Sequence, residues 1–288
     1  MKLAAVKVPV STVWTSPEAP RDLDALAIAA TPDVATWTAS MDTGVRLGLH
    51  GRTLTQALYA EPVLIRSERD GWSEIIAPWQ PSSSDALGYP GWLPTSHLGE
   101  LPTAASDPVA VTVPLTQLTA EPGGAPVLEL SFGTILASTE HADGYTRVAL
   151  PDGGSGWLAD KDLRVVSDPA DNVERLRLGS QFLGLQYLWG GTSAYGLDCS
   201  GLVHAVHRVL GLRTPRDAHD QCAALDKVAV DQAQPGDLYF FARPGQTVHH
   251  VGFVSPAGML HASETGKVLE DEALAEDRLG TLVAAGRL

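Results

Sequence analysis

The chain has 288 residues, 44% of them hydrophobic, and a formal net charge of −14 at pH 7. That length suits two or three domains, each able to bury a proper core. The acidic balance excludes nucleic acid and anionic membrane surfaces as default partners, because both reward basic patches. Two cysteines, Cys199 and Cys222, do not make a disulfide framework. The opening stretch MKLAAVKVPV has no long apolar run before Lys7 and Pro9, so it reads poorly as a signal peptide. No stretch is long and apolar enough to span a membrane. The expectation is a cytoplasmic protein.

In chain order, residues 2–10 alternate weakly and predict a first strand, residues 12–20 a loop, and residues 21–30 a short helix or irregular excursion. Short strands then follow at residues 62–66, 73–77 and 91–94, separated by Asp70-Gly71 and by a Pro/Ser/Gly-rich loop at residues 81–88. A second copy of this pattern comes next. Asp70-Gly71-Trp72 returns as Asp143-Gly144-Tyr145, and Gly91-Trp92-Leu93 with Leu98 returns as Gly156-Trp157-Leu158 with Leu163. An internal repeat of this kind sets the architecture. It places one all-β unit at about residues 1–101 and another at about residues 104–167, joined by connectors at residues 101–108 and 167–171. Trp92 and Trp157 are expected to pack in the two cores. The stretch from Trp79 to Pro90 is longer than its counterpart, which makes it a candidate functional loop.

The remainder opens with a helix at residues 172–185. Tyr187-Leu188-Trp189 then meets the pair Gly190-Gly191, and a polar turn ends in Asp198-Cys199-Ser200-Gly201. Leu202, Val203, Val206, Val209 and Leu210 are spaced as one face of a helix, with Asp198 standing as its N-cap. Cys199 therefore sits in the first turn, where unpaired N–H groups and the helix dipole favour a thiolate. A loop carries Thr214-Pro215-Arg216-Asp217, and a helix at residues 217–225 contains Cys222, read as a buried bystander. Strands at residues 237–241, 250–254, 259–262 and 281–284 complete the chain.

One hairpin register can be worked out. Ser255-Pro256-Ala257-Gly258 carries a type I turn signature. If the hairpin closes there, Gly252 lies opposite His261, and His250 and His261 become diagonal neighbours on one face. Two imidazoles so placed can share a hydrogen bond. His249 faces the other way. His204 and His207 form an i, i+3 pair, but no third ligand stands at convincing spacing, and no metal or other cofactor is expected.

Taken together, Y-L-W-G-G…G-L-D-C-S-G-L-V, T-P-R-D-A-H-D-Q, P-G-D-L-Y-F-F, H-H-V-G-F-V and M-L-H-A-S resemble the NlpC/P60 cysteine peptidases, in that family's order and at about its spacing. The two β units, with their D-G turns and G-W strands, are similar to bacterial SH3-like barrels. The fold class implied is multidomain: two all-β SH3-like barrels, the first gating substrate, followed by an α+β papain-like domain at residues 170–288. The resemblance implies that Cys199 is the nucleophile, ion-paired with His250 as base, and that His261 orients His250. The Cys199 N–H and the Tyr187 hydroxyl are candidate oxyanion donors. Barrels ahead of such a domain further resemble γ-D-glutamyl-L-diamino acid endopeptidases that trim muropeptides with a free L-alanine amine. On that likeness Asp198 and Ser200 bind the peptide, while Tyr89, Glu61 and Asp217 are candidates for the amine pocket. Other readings are an amidase or acyltransferase on the same Cys-His-His scaffold, and a wall-binding SH3-like module.

Overall fold

The computed structural model describes residues 1–102, 107–166 and 171–287; residues 103–106 and 167–170, inside the two expected connectors, lie outside the described residues. The N-terminal part contains β1 (Lys2–Val6), β2 (Val10–Trp14), β3 (Thr53–Leu58), β4 (Pro62–Arg69), β5 (Trp72–Ala77), β6 (Tyr89–Pro94) and β7 (Leu98–Gly99). These pair antiparallel in the order β3-β2-β6-β5-β4-β1-β7. The middle part contains β8 (Pro108–Val111), β9 (Leu115–Thr119), β10 (Pro126–Ser131), β11 (Ile135–Ala142), β12 (Tyr145–Ala149), β13 (Ser155–Ala159) and β14 (Leu163–Val165), in the order β10-β9-β13-β12-β11-β8-β14. Position for position the two orders are the same. The repeated Asp-Gly turns explain part of this. Asp70 and Gly71 have φ of 50° and 80°, and Asp143 and Gly144 have 53° and 78°. Two consecutive left-handed residues match the twist of a tight hairpin, and Asp-Gly tolerates them.

The tryptophans of the repeat are not core residues, contrary to expectation. Strand periodicity points Leu93 and Leu158 inward, both fully buried, and leaves Trp92 and Trp157 on the outer face, half-buried. The guanidinium of Arg69 lies 5.2 Å from the Trp92 ring centroid and that of Arg147 lies 5.9 Å from Trp157. Gly91 and Gly156, one residue earlier on the inner face, have no room for a side chain: an added Cβ would come within 2.4 Å of Val13 and 2.8 Å of Leu118.

The first sheet differs from the second mainly where the sequence offered least. Strand β2 runs through Trp14, into the stretch expected to be loop, and is buried throughout. Residues 15–52 then make an excursion containing α1 (Ala25–Ile28), α2 (Val34–Ala39) and α3 (Thr43–Leu47), where the second sheet goes directly from Thr119 to Pro126. Asp33 and Asp42 cap α2 and α3 by accepting from the Thr36 and Val45 N–H groups. Buried Asp24 ties the excursion together, accepting from Trp37 Nε1 at 3.0 Å and Arg21 Nε at 2.8 Å. Trp14, Trp37, Leu49 and Leu58 form its core, and Leu188 from the C-terminal part packs into the same cluster.

The C-terminal part is α+β. Helices α4 (Asn172–Ser180), α5 (Cys199–Val209) and α6 (Ala218–Ala224) accompany a small pair, β15 (Thr192–Ser193) and β16 (Gly196–Leu197). The main sheet has the order β17-β22-β18-β19-β20-β21, from β17 (Asp226–Val228), β18 (Leu238–Phe241), β19 (His250–Val254), β20 (Met259–Ala262), β21 (Leu269–Glu272) and β22 (Leu282–Arg287). Helix α4 stops at Ser180, short of Leu185, and leaves Val173 exposed. Helix α5 is buried along its whole length against the sheet, with Leu202, Val203, Val206 and Val209 in the core. Among the described residues no helix is long and apolar enough to cross a membrane.

Candidate active site

Helix α5 begins as its sequence requires. Asp198 accepts from the Gly201 N–H at 2.6 Å and caps the helix, so Cys199 opens the first turn. The facing histidines come from the β19-β20 hairpin. Phe253 pairs with Leu260 and Val254 with Met259, while Ser255 and Gly258 exchange backbone hydrogen bonds at 3.1 Å. This is the register derived from the turn. It sets Gly252 against His261, where an added Cβ would meet that of His261 at 2.8 Å. With that space empty, His250 and His261 meet diagonally, Nε2 to Nδ1, at 2.8 Å. The ring nitrogen of His250 outside this bond is Nδ1.

Around the sulfur, the Tyr187 hydroxyl and the Ser200 and Val251 N–H groups lie near enough to the Cys199 side chain to act on its ionisation. Burial, with Cys199 next in effect, pushes the Tyr187 phenol well above its usual range, so it stays a donor. The expected low-pKa thiol is reversed. Burial, reinforced by the charge of Asp198, pushes the Cys199 thiol up to about 12, outweighing the N–H groups and Arg216. His250 is driven well below its ordinary value by burial and then by His261. Both shifts favour a neutral Cys199 thiol and a neutral His250 imidazole, in place of the expected ion pair.

This sign has a measurable consequence. Alkylation consumes thiolate, whose fraction grows about tenfold per pH unit below the thiol pKa. Iodoacetamide labelling of Cys199, followed by peptide mass spectrometry, is therefore expected to be slow at pH 7 and to rise with a slope near one through pH 9. A flat profile across neutrality would mean a resting ion pair instead.

Arg216 is the residue whose role was not legible in the sequence. Fully buried, it donates Nη1 and Nη2 to the two Asp198 oxygens at 3.0 and 2.7 Å, Nη1 to Ser200 Oγ at 2.9 Å and Nε to Thr55 Oγ1 at 2.9 Å. Its own N–H bonds the Pro81 carbonyl. One guanidinium thus joins the cap of the nucleophile helix to the first sheet and to the loop expected to be functional. Asp198, which also accepts from the Gly190 N–H at 2.9 Å, has both oxygens engaged. Nearby, Gln56 Oε1 accepts from the Thr192 N–H at 3.0 Å, and Arg46 donates to the Tyr187 carbonyl at 3.1 Å. An arginine beside proline in a loop carries no periodic signal, which is why its role was not readable.

The cleft over the sulfur encloses about 330 Å³ and draws on both parts of the chain. Gly51, Thr53, Leu54 and Tyr89 come from the first; Tyr187, Trp189, Asp198, Cys199, Ser200 and Asp217 are among those from the last. Buried Tyr89 donates its hydroxyl to Asp217 Oδ2 at 2.9 Å. Burial raises the Asp217 carboxyl despite Arg216, and burial beside Asp217 raises the Tyr89 phenol. Trp189 stacks against His50, centroids 4.1 Å apart, and His249 stands exposed in the cleft wall.

Glu61 is not in this cleft, and its expected place in the amine pocket is corrected. It is fully buried and accepts from the Leu58 N–H at 3.0 Å, Gln80 Nε2 at 2.9 Å and Arg208 Nη1 at 2.6 Å. A carboxylate with no access to water needs such a cation, and Arg208 of α5 supplies it. Cys222 is half-buried on α6, away from the cleft lining. His204 and His207 turn Nδ1 to Thr214, at 2.9 and 2.8 Å. Among the described residues, two groups bring ligand-type atoms within 4.8 Å of one another: Asp217-His219-Asp220 and His261-Glu270-Glu272. In the first, Asp217 is held by Tyr89; in the second, His261 Nε2 lies 3.1 Å from Glu272 Oε1.

Comparison with known proteins agrees with this geometry. Residues 184–281 match the NlpC/P60 family, and residues 111–165 match the YKFC SH3b2 domain. The chain is 36% identical over 274 residues to the gamma-D-glutamyl-L-lysine dipeptidyl-peptidase of Bacillus subtilis (strain 168), covering 93% of this chain and 92% of that protein. The chain belongs to the NlpC/P60 family. A second relative of the same description, from Bacillus cereus (strain ATCC 10987 / NRS 248), is 33% identical over 286 residues, covering 93% and 85%. The crystal structure of an NlpC/P60 family protein from Bacillus cereus superposes with a TM-score of 0.91 at 29% identity, covering 99% of both chains. Like other NlpC/P60 members the protein is a cysteine peptidase, built as SH3-like β units ahead of an α+β papain-like domain.

Proposed function

We propose that this peptidase hydrolyses the bond between γ-D-glutamate and a diamino acid, meso-diaminopimelate or lysine, in L-Ala-γ-D-Glu muropeptides whose alanine amine is free. The observation that carries the reading is the Tyr89-Asp217 pair, which puts acceptor oxygens from the first sheet and the C-terminal part into the same cleft as Cys199. A carboxylate and a phenol oxygen set side by side in the cleft suit a peptide's terminal ammonium better than the neutral N-acyl group of an intact wall polymer. The likeness to two gamma-D-glutamyl-L-lysine dipeptidyl-peptidases along nearly the whole chain supports it.

On this reading Cys199 Sγ attacks the γ-carbonyl carbon while its proton passes to His250 Nδ1. The Tyr187 hydroxyl and the Cys199 N–H donate to the developing oxyanion. His250 then gives its proton to the departing amine, leaving a thioester that water hydrolyses. His261 holds His250 through the 2.8 Å hydrogen bond. Asp217 and the Tyr89 oxygen receive the ammonium, and Asp198 and Ser200 line the dipeptide subsite. Residues 1–101 gate substrate, residues 104–167 form the second barrel and residues 170–288 carry the chemistry. The protein acts in the cytoplasm on recycled wall peptides, with no nucleic acid or membrane partner. Incubation with L-Ala-γ-D-Glu-diaminopimelate and L-Ala-γ-D-Glu-lysine tests it, with L-Ala-γ-D-Glu expected by mass spectrometry; neither peptide being cut would overturn it.

His261→Ala is expected to lower kcat roughly tenfold and to leave KM nearly unchanged, because holding His250 matters most as charge develops on it. Steady-state kinetics on either tripeptide decides this; a wild-type kcat would remove His261 from the mechanism.

A further inference from the structure

The line from Cys199 does not stop at His261. Strand β21 pairs with β20 in the register His261 to Glu270 and Met259 to Glu272. Glu272 is therefore the diagonal neighbour of His261, as His261 is of His250: each step lies two residues beyond the directly opposed position. Both steps span eleven residues, His250 to His261 to Glu272. His261 Nε2 lies 3.1 Å from Glu272 Oε1, and Arg278 Nη2 lies 3.9 Å from the same oxygen. His261 is fully buried, whereas the Glu272 side chain is 43% exposed.

The chemistry of the chain of bonds is directional. A carboxylate only accepts, so the proton of neutral His261 sits on Nε2 and its Nδ1 is left as an acceptor. His250 must then donate from Nε2, which leaves its Nδ1 unprotonated. With the opposite tautomer of His261, Nδ1–H would point at His250 Nε2, and the proton of His250 would sit on Nδ1, where a base must be empty. We propose that Glu272 is a positioning residue of this active site: its carboxylate fixes the tautomer of His261 and, through it, the tautomer in which His250 can accept the thiol proton. Once His250 is an imidazolium, it needs an acceptor at Nε2 even more, and the same arrangement provides it. This rests on the roles proposed for Cys199, His250 and His261. Glu270, directly across from His261, and Arg278 and Lys267, whose charges act on that ring, are the neighbouring groups.

The experiment has one arm without substrate. In full-length protein carrying Cys199→Ala and 15N-labelled histidine, long-range 1H–15N spectra report the tautomer of each imidazole. His250 and His261 are both expected as Nε2–H tautomers, and adding Glu272→Ala is expected to convert His261 to a mixture. An unchanged His261 tautomer in that variant would overturn the proposal, whether or not any tripeptide is a substrate. In the second arm, Glu272→Ala in otherwise native protein is expected to lower kcat about tenfold with KM within about twofold. Glu272→Gln, whose side-chain oxygen still accepts, is expected to recover most of that loss, and Glu270→Ala to stay near the native rate. An equal loss in Glu270→Ala and Glu272→Ala would overturn the proposal in favour of a diffuse charge effect. Wild-type protein that leaves every tripeptide intact would count against the function proposed above, and the tautomer result would still decide this one.

Discussion

Cys199→Ala is expected to abolish peptide hydrolysis, by a factor of at least ~10⁴, and to leave the fold intact. No neighbouring group can take over the attack. Ser200 Oγ is engaged by both Asp198 and Arg216, at 3.2 and 2.9 Å, and the Tyr187 phenol is held protonated by its burial. Removing a nucleophile from a unit that works together costs nearly everything the unit supplies. The structural cost is small by comparison: one buried sulfur is lost from a helix whose cap is Asp198, on the order of 1 kcal/mol. Cys222→Ala, outside the cleft, is expected to cut peptide at the native rate. Product release followed by mass spectrometry, with thermal melts of both variants, checks this. Residual turnover within tenfold of native in Cys199→Ala would show that some other group performs the attack.

Free tripeptides are expected to be cut at least ~10²-fold more efficiently, in kcat/KM, than their N-acetylated or muramyl-linked counterparts. Tyr89 already gives its proton to Asp217, so what its oxygen and the carboxylate still offer is acceptance, which suits an ammonium and not an amide carbonyl. Acetylation removes the charge that the half-buried Asp217 carboxylate would pair with, a loss of about 1–3 kcal/mol or more for a charged group. The added bulk would meet the loop that leads to Tyr89. The loop before Tyr89 is fastened down, with Pro81 accepting from the Arg216 N–H, the Ser83 N–H donating to Asp220 at 2.9 Å, and Arg213 donating to the Pro78 carbonyl at 2.9 Å. Comparable kcat/KM for free and acetylated tripeptides would make the first barrel a tether and not a gate.

What the sequence disclosed was whatever local chemistry enforces. The Asp198 cap placed Cys199, the Ser-Pro-Ala-Gly turn set the His250-His261 register, and the paired Asp-Gly turns announced the duplication. What it hid depends on contacts between distant segments. The excursion at residues 15–52 has helices too short for a period to show, held instead by Asp24 and by Leu188 from far along the chain. Glu61 and Tyr89 were both plausible ammonium ligands from their residue types. Only the meeting of the first sheet with α5 sends Glu61 to Arg208 and leaves Tyr89 facing the cleft. The thiol departs from expectation for the same reason. A helix start favours a thiolate, but the burial that reverses this comes from neighbours brought in by the rest of the fold.

The Glu61-Arg208 pair bears on how the protein comes apart. The carboxylate belongs to the first sheet and the guanidinium to the nucleophile helix, with side chains 0% and 6% exposed. Pulling the two units apart exposes more than a flat boundary. It separates a carboxylate from the cation that neutralises it, and Arg216 would at the same moment lose Thr55. Docking and folding are thereby coupled, and the first barrel and the peptidase domain are expected to melt in a single calorimetric transition; two separate transitions would show that the pair does not couple them. A catalytic domain borrowed alone would carry Arg208 without the carboxylate that neutralises it.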